Sequence, residues 1–435
     1  MSARENFFLL ATCLLTACLL TACGASETSN AEAETATDPE TATKDASKAK
    51  PAADGDKPKK KRKRNESVHS TSNEMKNLRA MAYANATFDP NADQRGVTIY
   101  DKERASDGYN FYSSRGLPAA FLLNMEGELV YQWRRKDNLW QHVDLLPNGD
   151  VIVLIKDNVL FKVNLESDIL WRYRARVHHD HFRHPDGRIF VLTRKNEKHP
   201  DLHPEHLILV DYVTVLSEDG ELIEEYSILE LLQRSRFAFL LPSVSHHDWT
   251  KPNEEPGDVV LDFLHTNHVE VVDERLADRS PIFEPGMVIL SMRHLNSIVV
   301  ADLEKREVVW LWGPTNLTRQ HHPTVLDNGN ILLFNNGLKK SSILELDPVS
   351  LKVVWRYMPG PEFFTMSRGS NQRLPNGNTL ITESDPGYVF EVTPEGETVW
   401  EFANPQVNEK DERSAIWRMV RFQREELPFL ETLEK

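Results

Sequence analysis

Cysteine is nearly missing from this chain. Its 435 residues hold three, Cys13, Cys18 and Cys23, all near the start. A disulfide framework or a thiolate metal site in the body is thereby excluded. Positive charge is not in excess either: the formal net charge is −15, so a polyanion such as nucleic acid is not the expected partner. Long apolar runs are scarce. The stretch 7–20 is too short to span a bilayer comfortably, and from 24 to about 72 large apolar residues are almost absent. Such a segment cannot bury enough surface to offset the entropy of ordering, and it reads as a disordered tether. The remainder is long enough for one large domain or two ordinary ones.

The first residues read as an export signal. Arg4 supplies a short basic start, the apolar stretch follows, and the string LTACG ends in Cys23 and Gly24. That string resembles the lipobox of bacterial lipoproteins. Cys18 closes a similar LTAC string but is followed by Leu19, which makes Cys23 the expected lipidation site. Acyl chains there would anchor the protein stably, because more than one buried chain is needed. Ala25 rather than Asp follows Gly24, which favours the outer membrane; the expected location is the bacterial cell envelope, on the periplasmic face of that membrane or at the cell surface. The basic run KKKRKR at 59–64 would lie near anionic headgroups. The expected organisation is a signal at 1–23, a linker at 24–75, an N-terminal extension at 76–108 with a short helix over 73–83, and a β-domain at 109–425.

Within that domain one phrase recurs five times. A His or polar residue is followed about seven residues later by a tight turn, then by a Val/Ile/Leu strand, and finally by an aromatic residue. The turns are Asn148-Gly149, Asp186-Gly187, Asn328-Gly329 and Asn376-Gly377; the third copy carries an insertion instead. Trp171, Trp310, Trp355 and Trp400 close four copies and Tyr226 closes the second. Four short strands per copy, joined by hairpin turns, predict an all-β fold, a β-propeller. Ala119 to Trp133 supplies the outer part of one further blade and IWRMVRF at 416–422 an orphan strand. Joining the two closes a six-bladed ring and hides both edges; a seventh blade would need strands hidden in the insertions. The segment LELLQRSRFAFL, starting at Leu229, reads as a helix.

The first strand of a propeller blade lines the central channel. Six residues before the aligned turn positions stand Gln141, His179, Asn267, His321 and Gly369. Strand side chains alternate, so His265 shares the face of Asn267. Three imidazoles, His179, His265 and His321, are thus expected to converge near the axis, with Arg293 from a neighbouring strand. Their partners His178, His294 and His322 should point away, unless the register slips by one. His142 by itself is read as bonding a neighbouring strand.

These strings carry a resemblance. HHD at 178–180, FLHTNHV at 263–269, SMRHLNSIVVAD at 291–302, VVWLWG at 308–313, QHHPTVLDNGNILLFNNG at 320–337 and GSNQRLPNGNTLITES at 369–384 resemble bacterial arylsulfate sulfotransferases over most of residues 110–403. The resemblance implies a six-bladed propeller that moves a sulfuryl group between phenols without a nucleotide donor. It implies a transiently sulfated His321, with His265, Arg293 and His179 as its catalytic companions and Asn267, His178 and His322 binding substrate. His322 stands where Thr or Asp is usual, which leaves the nucleophile open between His321 and His322. The expected partners are a small aryl sulfate donor, a phenolic acceptor and, through the lipid, a membrane. No cofactor is expected, a structural calcium ion aside.

Chemically the set makes sense. A neutral imidazole is a competent nucleophile near pH 7, and an arginine fork can orient a sulfate and stabilise its charge. Two other readings compete: a non-catalytic surface propeller binding a ligand or protein, and a metal centre on the imidazoles. Against a metal, no carboxylate or cysteine falls in register with the histidines and Arg293 would repel a cation.

Overall fold

The computed structural model describes residues 86–136, 139–241 and 260–433. The chain divides into two units, Met1–Lys63 and Arg64–Lys435, and every described residue belongs to the second. The expected signal, Cys23, the tether and the helix at 73–83 lie outside the described residues.

The fold is a six-bladed β-propeller whose blades are antiparallel sheets, save that Val260–Leu261 adds to blade 3 in parallel. Blade 2, from the axis outward, is His142–Leu145, Val151–Ile155, Val159–Val163 and Ile169–Arg174. Blade 3 is Val177–Arg183, Ile189–Lys198, Leu207–Leu216 and Leu222–Ser227; blade 4 is Thr266–Val271, Val288–Met292, Ser297–Asp302 and Glu307–Trp312. Blade 5 is His321–Val325, Ile331–Asn335, Ser342–Asp347 and Lys352–Tyr357. Blade 6 is Ser370–Arg373, Thr379–Glu383, Tyr388–Val392 and Thr398–Ala403, with Gly96–Tyr100 added outside. Blade 1 is composite. Its innermost strand is the C-terminal Ile416–Phe422, paired to Tyr109–Ser114, Ala119–Leu123 and Leu129–Arg134.

Strands such as VIVLI read as unbroken apolar runs because both faces of each blade are covered. Val151 and Val153 pack toward blade 1, while Ile152 and Leu154 pack toward blade 3. The core is therefore divided into apolar clusters between successive blades, each drawing residues from two neighbours. The repeated aromatic residue is the fastener. Trp310 Nε1 donates to Pro348 O at 3.0 Å, Trp355 Nε1 to Pro394 O at 2.8 Å and Trp400 Nε1 to Met125 O at 2.9 Å. Each bond reaches a turn of the next blade. A hydrogen bond of this kind is worth about 1 kcal/mol net, and where the indole is buried, as at Trp310 and Trp400, it adds a large apolar area. Trp171 lies so close to Gly220 that a Cβ there would stand 2.6 Å from the ring, and the φ of +79° suits only glycine well.

Three differences from the sequence reading are structural. The N-terminal extension is partly sheet, with Ala86–Phe88 on Glu412–Ser414 and Gly96–Tyr100 on blade 6. The chain also stays in the core past residue 425, where Leu427, Phe429 and Leu430 fill the space between blades 1 and 2. N-terminal strands supply three of the four strands of blade 1, one more than the sequence suggested. The expected helix is present over Ile228–Arg234, capped by the Ser227 side chain, and its apolar face joins the core between blades 3 and 4. The insertion of the third copy folds as the short helix Glu274–Ala277.

Closure is braced by a buried charge. Arg421, on the last strand, pairs with Glu391 of blade 6, donates to Asn110 Oδ1 at 2.9 Å and to Ser106 O at 2.9 Å. Arg421→Met should cost about 3–5 kcal/mol, because Glu391 is left buried and unpaired. Urea unfolding measures the loss; adding Glu391→Gln should recover part of it.

Candidate functional site

The innermost strands share a register in which Leu145, Arg183, Val271, Val325, Arg373 and Phe422 pair with the start of each second strand. Four residues earlier stand Gln141, His179, Asn267, His321, Gly369 and Arg418. A small axial cavity of about 30 Å³ is lined by five of these, His179, Asn267, His321, Gly369 and Arg418, with His322 and Arg368 among the others. It has room for about one water. A sulfuryl-sized group fits only with some give, and an aromatic ring would have to stay outside.

His321 opens the inner strand of blade 5 and is buried. Its Nδ1 lies 2.7 Å from Asn336 Oδ1 and 3.0 Å from Arg319 O. The Asn336 amide donates through Nδ2 to Thr365 O and Arg368 O at 2.9 and 2.8 Å, so its oxygen must face the ring. Two acceptors at Nδ1 place the proton there and leave the lone pair on Nε2, which receives only a long 3.2 Å bond from Arg368 N. Burial pushes the His321 pKa down to about 3; the bond to Asn336 opposes this, and Arg293 and His265 add to it. The ring is neutral at any physiological pH.

His179 and His265 carry the same tautomer for different reasons. His178 Nε2 is 3.2 Å from Thr193 O and 3.3 Å from Asp211 Oδ1, so it holds a proton there and accepts at Nδ1 from His179 Nδ1, 2.8 Å away. His265 Nδ1 faces Asp262 Oδ2 at 2.5 Å, and its backbone N–H donates to Asp262 Oδ1 at 3.1 Å. The rings of His179 and His265 stand 4.7 Å apart between centroids. Burial first, then His265 and His178, holds His179 well below the ordinary histidine value. Asp262 is brought down to about 2, burial being outweighed by His265 and His294.

Arg293 follows the second strand of blade 4, with its backbone N–H on His265 O at 3.3 Å. Among the described residues its guanidinium has no carboxylate within ion-pair distance, although Asp262 favours its charge at longer range. Burial and Arg319 lower its pKa, but an arginine stays cationic. Lys156 and Arg194 hold the equivalent positions in blades 2 and 3, and Asn336 that of blade 5.

Deeper along the axis lies a second polar layer. Asp180 Oδ1 receives Arg418 Nη2 at 3.1 Å and lies 3.1 Å from His142 Nε2, while its Oδ2 stands 2.5 Å from His268 Nδ1. Burial would raise this carboxyl; Arg418, His268 and His142 prevail and hold it well below the usual range.

The structure thus brings His179, His265, His321 and Arg293 to one end of the channel, and Asn267 to the axial cavity. His178 does not reach the cavity; it braces His179 from behind. His322 corrects the alternation argument: it lines the cavity beside His321 rather than pointing away. The inner strand of blade 5 carries a bulge between His321 and Thr324, and His322 adopts φ +50°. A bulge interrupts the period of two. His294 likewise stays close, its ring 4.5 Å from that of His265. A carboxylate also meets the histidines after all, since Asp262 lies in the loop before the strand, where register does not reach. Asn336, Asp262, Arg368 and Arg418 escaped the sequence reading. For Arg418 the signal was present, four residues before the end of the orphan strand.

A family model for arylsulfotransferases (ASST) matches residues 142–405, more than half of the chain. The chain belongs to the arylsulfotransferase family. No curated protein matches it. Among solved structures it is similar to a protein of unknown function from Bacteroides caccae, at 13% identity over 72% of this chain and 98% of that one, with a TM-score of 0.48. It is also similar to a catalytically inactive virginiamycin B lyase from Staphylococcus aureus with quinupristin, at 11% identity over 77% and 98% of the two chains and a TM-score of 0.41. Likenesses of this depth say nothing of activity.

Nitrogen NMR of histidine-labelled protein should find His321 neutral with the proton on Nδ1 from pH 8 down to about pH 4. Burial also lowers His178 to about 3 and His181 to about 4, while unfolded imidazoles titrate near 6.5. Between those values the unfolded chain binds protons that the native chain refuses. Stability should therefore fall as pH drops below about 6.5, as denaturant midpoints would read.

Proposed function

We propose that this protein transfers a sulfuryl group from an aryl sulfate to a phenolic acceptor through a sulfated His321, in ping-pong fashion and without a nucleotide donor. The observation that carries the reading is the state of His321: neutral, held by Asn336 and Arg319 with its lone pair on Nε2, within electrostatic reach of Arg293, which among the described residues has no carboxylate within ion-pair distance. Between His321 and His322, geometry favours the first. His322 Nδ1 accepts only a long 3.4 Å bond from Asn371 N and has no comparable brace.

In the first half-reaction Nε2 of His321 attacks sulfur and the bond from sulfur to the aryl oxygen breaks. Arg293 stabilises the charge on the moving sulfuryl oxygens. The departing phenoxide takes a proton from His265, whose ring Asp262 holds in place through Nδ1. In the second half an acceptor phenol returns its proton to His265 and attacks sulfur, and the bond to Nε2 breaks. Asn267 binds a sulfuryl oxygen at the cavity wall through the amide N–H that it does not give to Gln320 O, and His179, its own N–H committed to His178, shapes that wall. The aryl rings of donor and acceptor stay at the mouth, since the cavity is too small for them. Lipidation at Cys23 and a place in the cell envelope belong to the same reading.

His321→Asn should abolish transfer from a chromogenic aryl sulfate to phenol while leaving the circular dichroism unchanged. Arg293→Ala should lower kcat about 10²–10³-fold, since one transition-state contact of this kind is worth roughly 3 kcal/mol or more. With donor alone, mass spectrometry of the peptide spanning 320–330 should gain one sulfuryl group on a histidine. An unmodified peptide in a preparation that turns over would sink the covalent route. Total inactivity with ordinary donors would favour a binding propeller.

A further inference from the structure

The side chains of Asp262, His265 and His294 each offer one donor atom, and these atoms lie within 4.8 Å of one another. The group belongs to two backbone segments that are tied together. Arg293 N donates to His265 O at 3.3 Å and His294 N to Leu264 O at 3.1 Å. The His294 ring has the orientation that metal-binding imidazoles adopt. Its Nδ1 lies 2.7 Å from Asp262 O, a carbonyl that can only accept, so Nδ1 holds the proton and the ring is the tautomer with its lone pair on Nε2. The Asp262 carboxylate is fixed by the backbone N–H of His265 on Oδ1, which leaves Oδ2 against the His265 ring. All three residues are partly exposed, so an ion has a way in.

We propose that Asp262, His265 and His294 bind a divalent transition-metal ion, zinc or copper(II), and that the bound ion inhibits sulfuryl transfer by withdrawing His265. Two imidazoles and a carboxylate are the donors such ions prefer. On tetrahedral zinc the donor atoms stand about 3.4 Å apart, so the 2.5 Å separation of Asp262 Oδ2 from His265 Nδ1 must open by about 1 Å. The ion takes the place of the proton that the pair shares, and that proton leaves to solvent. Arg293 stands next in sequence to His294 and its charge opposes a cation, which sets the expected dissociation constant in the micromolar rather than the nanomolar range. The inhibitory half rests on the sulfotransferase reading above; the binding half does not.

The test uses full-length protein stripped with chelator and titrated with cobalt(II), followed by its visible absorption, and with zinc by calorimetry. One ion per chain is expected, with binding weakened at least tenfold in His294→Gln and in Asp262→Asn but unchanged in His206→Gln. Zinc should inhibit the wild type at micromolar concentration. His294→Gln should be active without metal and should need at least tenfold more zinc for the same inhibition. Failure of the wild type to take up one ion, or binding by both variants equal to the wild type, overturns the site. Lost binding in the variants with a wild-type rate indifferent to zinc overturns the inhibition and leaves the site standing. If no preparation transfers sulfate, the functional reading fails and the cobalt titration still decides the site. Thermal melts check folding, and His294→Asn replaces His294→Gln should the latter unfold.

Discussion

Everything in this molecule depends on each blade having a neighbour on both faces. A sheet such as Val151–Ile155 and its partners is apolar on its two sides, and water on either would cost on the order of 1.5–3 kcal/mol per large side chain exposed. Only a closed ring satisfies every blade at once. Closure then fixes the channel, because the innermost strands have nowhere to lie but around the axis. The polar residues at the start of those strands are forced together, and their charges and tautomers follow from that crowding.

Crowding explains why so many imidazoles here are neutral. Two layers of buried histidines share few carboxylates. Asp262 serves His265, and Asp180 serves His268, His142 and Arg418. Where no carboxylate is at hand, as for His321, burial strips the proton and amide and carbonyl groups choose the tautomer. On the proposed reading, the lone pair of His321 Nε2 is thereby prepared for attack by burial and tautomer alone. The arrangement suits a reaction in which the nucleophile must be uncharged and the leaving group must be protonated by someone else.

Much of this was legible in the sequence, for definite physical reasons. The repeat exposed the blades because each must make the same contacts, and the closing Trp310, Trp355 and Trp400 recur because each fastens the next blade. His179, Asn267 and His321 could be placed at the axis because strand register is rigid along a blade. What could not be read was departure from regularity. His322 turned inward through a bulge and a left-handed φ, which no alternation rule foresees. Asp262 sits in a loop, and Asn336 looks like any polar strand end until its three partners are seen.

The strand that closes the ring has a consequence for when the chamber can form. Trp417 and Arg418, both in the wall of the axial cavity, belong to Ile416–Phe422, the strand that completes blade 1. A nascent polypeptide made only as far as residue 415 owns every histidine of the cluster and yet has no finished chamber to hold them. The chamber therefore closes only once that strand has been made. A product cut short before it would lack part of the cavity wall even if its other blades were well formed.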